Sequence, residues 1–263
     1  MEPTDSMSSF TGERPGWGKD FEYDESRHLA AYVYARDLAV GIDVVDAGCG
    51  EGFGTRHLTE VARSVTGIDY SSDAVDACKR TWQAPNLSFR QVDLTNPGEF
   101  NEAFDLVLNF QVLEHIQDSL PFLKGLRERL RPGGTLMLTT PNRLKSFSEN
   151  PYHVREYTAE ELEALLGGVF GQVEILGMHG NDKVVAFDRG RERAVRRILR
   201  LDPFGIRNML PSWLVNAAFA RLALLVRRSA KKAGSGTSIV PEDFSVRAEN
   251  TDEALDLVAI CRR

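Results

Sequence analysis

The sequence predicts an α/β protein, a largely parallel sheet with helices on both of its faces. Two observations predict it. From residue 43 onward, short apolar runs alternate with amphipathic stretches, the pattern of strands joined by helical crossovers. The first apolar run also leads straight into a glycine-rich turn, "VVDAGCGEGFGT" at 44–55, and then into a helix-like stretch.

The elements follow in order. Residues 1–20 are rich in Ser, Gly, Pro and Thr and read as a loose arm. "ESRHLAAYVYARDLA" at 25–39 reads as a helix with Leu29, Tyr32, Val33 and Leu38 on one face, ended by Gly41. Strands are expected at 43–47, 64–68, 87–92, 104–110, 135–140, 172–177 and 255–261. Helices are expected between most of them, at 54–63, 72–82, 119–130 and 158–166. "TAEE" from Thr158 is a capping box that opens the last of these helices. "RPGG" from Arg131 stops one helix and starts a strand. The alternation fails after about residue 180, where two helical stretches at 189–201 and 212–232 and the linker "AGSGTS" precede the last strand. The division is therefore an arm and cap helix at 1–40, a core at 41–180 and 252–263, and a helical insertion at 181–251.

Composition narrows the function classes. The chain has 263 residues, 42% hydrophobic and 27% charged, with a formal net charge of -6, which argues against a nucleic-acid partner. The charge is uneven: 189–232 carries twelve Lys or Arg against two acids, Glu192 and Asp202. Three cysteines, Cys49, Cys78 and Cys261, match no metal spacing and fit a reduced, cytoplasmic setting. No metal site is expected. "MEPTDSMSSF" lacks the basic and apolar regions of a signal peptide, and no stretch reaches the ~20 apolar residues of a spanning helix.

The glycines after the first strand let a backbone come close to a ligand, and the helix that follows offers its N–H groups. Asp69 ends the second strand, where an acid accepts hydrogen bonds from ribose hydroxyls, for NAD as much as for other nucleosides. Asp93 follows the third strand, placed either to take an adenine amino proton or to act as an ordinary loop acid or helix cap. Asp46, just before the glycines, suits a ligand with a positive charge or an ammonium group.

"VVDAGCGEGFGT", "VTGIDYSSDAVDACKR", "FRQVDLTN", "FDLVLNFQVLEHIQD" and "LRPGGTLMLTTPN" together resemble the ordered motifs of class I S-adenosylmethionine-dependent methyltransferases of the type 11-like, glycan and small-molecule subgroup. The resemblance is close from 44 to about 170 and looser over the last strand. It implies a Rossmann-like, doubly wound, seven-stranded sheet with an antiparallel last strand. It implies S-adenosyl-L-methionine as cofactor and S-adenosyl-L-homocysteine as product. Asp46, Gly48, Gly50 and Gly52 match the methionine-side cradle, Asp69 the ribose acid, and Tyr70 the adenine neighbour. Asp93 and Leu94 match the adenine edge, and Asn109, Phe110 and Gln111 the end of the fourth strand beside the transferable methyl. Many relatives carry a Ser or an acid where this chain reads "NFQ".

Methyl transfer to a hydroxyl calls for a base. Two of the five histidines are placed for it: His115 in "LEHI" past the fourth strand, and His153 in "NPYHVREYT" past the fifth. Arg27, His28 and Tyr32 on the cap helix could meet the methionine carboxylate or the acceptor. "WLVNAAFARLALLV" at 213–226, followed by Arg227, Arg228, Lys231 and Lys232, fits a buried helix, a peripheral membrane contact through 189–232, a lid over the acceptor, or a homodimer interface. The expected reaction is O-methylation of a small molecule, a sugar or a lipid-linked glycan. The alternatives are O-, C- or N-methylation of a quinone or other natural product and, from other classes, an NAD-dependent oxidoreductase or a non-catalytic cofactor-binding protein.

Overall fold

Among the described residues the apolar runs pair side by side into one sheet of eight strands, where seven were expected. The computed structural model describes residues 22–96, 100–146, 150, 152–199 and 238–263. The strands are β1 (Asp43–Ala47), β2 (Ser64–Asp69), β3 (Leu87–Gln91), β4 (Phe104–Phe110), β5 (Leu130–Pro141), β6 (Gln172–Gly180), β7 (Phe244–Arg247) and β8 (Asp256–Arg262). The helices are α1 (Glu22–Ala39), α2 (Phe53–His57), α3 (Ser72–Thr81), α4 (Ser119–Glu128), α5 (Ala159–Gly167) and α6 (Asp182–Leu199).

The spatial order is β3-β2-β1-β4-β5-β8-β6-β7. The first five strands of that order are parallel. β8 enters between β5 and β6 and runs antiparallel to both, as expected of the last strand. β7 then adds antiparallel to the outer edge of β6. It lies in 181–251, a stretch expected to be helical, and its sequence "FSVR" is short and half polar, so no long alternation announces it.

The central strands are buried on both faces, which is why they read as unbroken apolar runs. Successive residues of β4 face opposite sides: Leu106 and Leu108 pack with α1, and Val107 packs with Phe122 and Leu123 of α4. The face under α4 and α5 gathers Leu126, Leu162 and Leu166. The face under α1 gathers Ala30, Ala31, Tyr32 and Ala35 with Met137 and Val258. Small alanines let α1 lie close on the sheet. Of its four expected core residues, Tyr32 is buried, Leu29 and Leu38 are half-buried, and Val33 points outward.

α5 opens on the expected box: Glu161 N–H donates to Thr158 Oγ1 at 3.3 Å and Thr158 N–H donates to Glu161 Oε2 at 3.0 Å. The helix expected at 189–201 is the later part of α6, which starts at Asp182. The expected arm at 1–20 and helix at 212–232 lie outside the described residues, as does the linker up to residue 237. Among the described residues, no helix is long and apolar enough to cross a membrane.

Candidate active site

Parallel strands bring their carboxyl ends to one rim of the sheet. β3, β2 and β1 are neighbours there, so Asp93, Asp69 and Asp46 gather on adjacent segments. The turn after β1 doubles back through Gly48, at φ +92°, and Gly52, at φ +73°, conformations that L side chains rarely adopt. A Cβ at Gly48 would lie 2.4 Å from Val112 Cγ2, and one at Gly52 would lie 2.8 Å from the Phe89 ring. The turn is held by Asp69, whose Oδ2 accepts the Gly50 N–H at 2.9 Å and whose Oδ1 accepts the Ser71 N–H at 2.9 Å.

Asp46 is fully buried. Its Oδ2 accepts from the Tyr32 hydroxyl at 3.0 Å and from Thr55 Oγ1 at 2.6 Å. Its Oδ1 is buried with no hydrogen-bond partner among the described residues. Burial pushes its carboxyl up to about 6 against the pull of the Thr55 and Tyr32 bonds, with the charge of Asp69 adding to the rise. A buried carboxylate oxygen without a donor is costly, and a ligand ammonium is the kind of group that would satisfy it. The cradle therefore fits a methionine-bearing nucleoside.

The other expected contacts divide. Tyr70 is exposed directly after β2, placed as a stacking surface. Asp93 is exposed and turns back on its own loop, its Oδ1 accepting from Thr95 N–H at 2.8 Å and Thr95 Oγ1 at 2.7 Å. Those bonds lower its pKa. Leu94 packs half-buried against the core. Asn109 is fully buried and donates from Nδ2 to the Ala47 carbonyl at 2.7 Å, tying β4 to β1, while its Oδ1 has no partner among the described residues. Phe110 turns away into the core and meets Tyr32 edge-on at 4.8 Å between ring centroids. Gln111 adopts φ 56° and donates to Asp256 Oδ1 at 3.2 Å.

The cap-helix expectations change as well. Arg27 is held by Asp256, with Nε to Oδ2 at 2.6 Å and Nη2 to the Leu255 carbonyl at 2.8 Å, so it fastens α1 to the start of β8. Tyr32 is committed to Asp46. These two acids, with Thr55, are what the sequence pattern had not connected to α1.

A second polar cluster lies beyond β4. His115 Nδ1 meets the Tyr152 carbonyl at 2.9 Å, and His153 Nδ1 meets Glu156 Oε1 at 2.6 Å. A carbonyl can only accept, so His115 Nδ1 carries a proton and donates it to that bond. Asn150 Oδ1 accepts the Tyr152 N–H at 3.1 Å, which turns its amide nitrogen toward His153 Nε2 at 2.8 Å. The two imidazoles stand edge to face at 5.1 Å between centroids. Glu114, 1% exposed, completes the cluster and accepts from Thr140 Oγ1 at 3.0 Å. Burial pushes its carboxyl up to about 8, with Asp256 and Glu156 adding to the rise and the Thr140 bond opposing it. The sequence placed the two histidines past successive strand ends; that their rings touch, with Glu114 beside them, is a finding of the tertiary structure. His57 instead packs edge-on against Phe53 of its own helix, at 5.7 Å between centroids.

A Rossmann-like sheet with a glycine cradle and rim acids has the build of a protein that binds a nucleoside cofactor. The family model described as "Methyltransferase domain" matches residues 22–168, and the chain belongs to that family. A Mycolicibacterium smegmatis protein named "Probable S-adenosylmethionine-dependent methyltransferase" is 36% identical over 184 residues, 66% of this chain and 70% of that protein. A Cereibacter sphaeroides "Ubiquinone biosynthesis O-methyltransferase" is 31% identical over 45% of this chain and 51% of that one. The solved structure of the [4+2]-cyclase SpnF shares the fold at a TM-score of 0.57, with 19% identity, over 90% of this chain and 80% of that one. The cofactor of the family is S-adenosylmethionine, so the oxidoreductase alternative is set aside.

Proposed function

We propose that the chain methylates a hydroxyl of a small molecule, a sugar or a lipid-linked glycan. The observation that carries this reading is the His115 ring. Its Nδ1–H is committed to the Tyr152 carbonyl, so in the neutral ring Nε2 is the nitrogen that can take a proton, on the turn after β4, the strand beside β1. S-adenosylmethionine supplies an electrophilic methyl on a sulfonium. Asp46 Oδ1 takes the ammonium of its amino-acid end, Asp69 the ribose hydroxyls and Tyr70 the adenine face, with Asp93 and Leu94 at the adenine edge. Asn109 and Gln111 shape the floor beside the methyl.

With that cofactor bound, His115 Nε2 would take the proton of the acceptor hydroxyl as its oxygen receives the methyl. His153, whose Nε2 is met by Asn150, orients that pocket, so His115 is the base of the two. The acceptor class draws support from the basic and apolar composition of 189–232, suited to an amphiphilic acceptor or to peripheral contact with anionic lipid. The name of the Cereibacter relative favours a second reading, a quinone-type phenol as the acceptor. Incubation with the cofactor and a panel of sugars, lipid-linked glycans and phenols, read as S-adenosylhomocysteine release, decides between them. Methylation only at carbon or nitrogen centres would overturn the O-methyl assignment.

A further inference from the structure

We propose that Glu114, His115 and His153 form a binding site for a divalent transition-metal ion. This deepens the O-methyl reading and rests on it only for the use to which the ion is put. One donor atom from each of the three residues lies within 4.8 Å of the others. Donors bound at ~2.0–2.2 Å to one zinc-like ion stand roughly 3.4 Å apart, so side-chain rotations of about 1 Å would close the set.

The groups behind the donors point the same way. A metal-bound histidine generally gives its other ring N–H to a carbonyl or a carboxylate, which fixes the ring and its tautomer. His115 gives Nδ1 to the Tyr152 carbonyl, and His153 gives Nδ1 to Glu156. Both Nε2 atoms are thereby the ligating nitrogens, and the Asn150 amide is the group the ion displaces from His153. The third donor is the carboxyl group of Glu114, 1% exposed, with Thr140 bonded to Oε2. The backbone is braced as well: the Glu114 carbonyl accepts the N–H groups of Val154 at 2.7 Å and Arg155 at 3.1 Å, so the two loops carrying the donors are tied together.

Two imidazoles and one carboxylate select the ion's class. Magnesium and calcium prefer all-oxygen sites, whereas zinc, cobalt, manganese and ferrous ions accept imidazole. Three protein ligands leave positions open for an acceptor oxygen, and a hydroxyl bound to such an ion loses its proton near neutral pH. The acceptor implied is one whose oxygen can enter that open position; with the ion bound, its proton passes to water and the ion takes over the activating role that His115 has in the metal-free chain.

Titration of the metal-stripped full chain with Co(II), followed by visible absorption and by isothermal calorimetry, tests the site. The expected result is one equivalent bound with a ligand-field spectrum. Stoichiometric binding is expected to be lost in His153→Ala and Glu114→Gln, and affinity to weaken about tenfold or more in Glu156→Gln, which touches only the ring behind the donor. His57→Ala is the control and should bind as the parent does. S-adenosylhomocysteine titrated into each variant reports separately on the cofactor cradle, so a failed cofactor reading and a failed metal reading give different results. No cobalt binding by the parent chain, or unchanged binding in both His153→Ala and Glu114→Gln with the cradle intact, would overturn the proposal.

Discussion

The Tyr32 hydroxyl donates to Asp46 Oδ2 at 3.0 Å, and this bond fastens the cap helix to the buried end of β1. It leaves the other oxygen of Asp46 for a ligand. Asp46→Asn keeps the shape and removes the charge. Its affinity for S-adenosylhomocysteine should fall about 10- to 100-fold, the worth of a charged hydrogen bond. Tyr32→Phe should cost about 1 kcal/mol of stability and far less affinity. Calorimetric titration and denaturant unfolding check the two effects; equal affinity for Asp46→Asn and the parent would remove Asp46 from the cradle.

The raised pKa of Asp46, about 6 against 3.8, gives a pH dependence of definite sign. Between these values the folded chain holds a proton that the unfolded chain has released, so this group's contribution to stability falls as pH rises through that window. At most it amounts to roughly 3 kcal/mol. Cofactor binding runs the other way. The ionised carboxylate is the form that grips an ammonium, so affinity should weaken as pH drops below about 6. A binding curve across pH 5 to 8 should show this slope in the parent chain and not in Asp46→Asn.

Gly48→Ala places a methyl 2.4 Å from Val112 Cγ2 at a φ of +92°. The strain should cost about 1–3 kcal/mol and weaken cofactor binding with it. Adding Val112→Ala removes the clash but not the backbone strain, so it should restore part of the melting temperature. Full restoration would mean that crowding alone excludes a side chain there.

His115→Ala should lower kcat about 10²–10⁴-fold with cofactor affinity unchanged. In metal-free assays His153→Ala should lower it less, because its part there is to orient the pocket. Single-turnover rates with a methylated product measured directly would separate these. A larger loss at His153 would reverse the two roles.

Arg27 and Asp256 make a largely buried pair between α1 and β8, at side-chain exposures of 23% and 3%. Arg27→Ala leaves the acid without its cationic partner, the Gln111 amide still bonded to Oδ1, and should cost about 2–4 kcal/mol, below the full buried-pair penalty because Arg27 is partly wet. Urea unfolding measures it; a loss under 0.5 kcal/mol, within the ordinary ~0.5 kcal/mol scatter of surface changes, would make the pair incidental.

The sequence alone determined the order of the strands up to β6 and the residues at the rim of the cradle. β1 and β4 match their expected bounds because strands buried on both faces must be apolar throughout. The glycine turn, Asp46 and Asp69 were legible because they sit within a few residues of one strand end, where local geometry leaves few choices. β7 escaped because only four residues, with Phe244 the buried one, had to satisfy one edge of β6. The pairing of Arg27 with Asp256, and the meeting of Glu114 and His115 with His153, were decided only by the tertiary structure. Periodicity records which way a side chain faces along its own element. Which distant chain it meets depends on how the helices and sheet pack, and that is a property of the whole core.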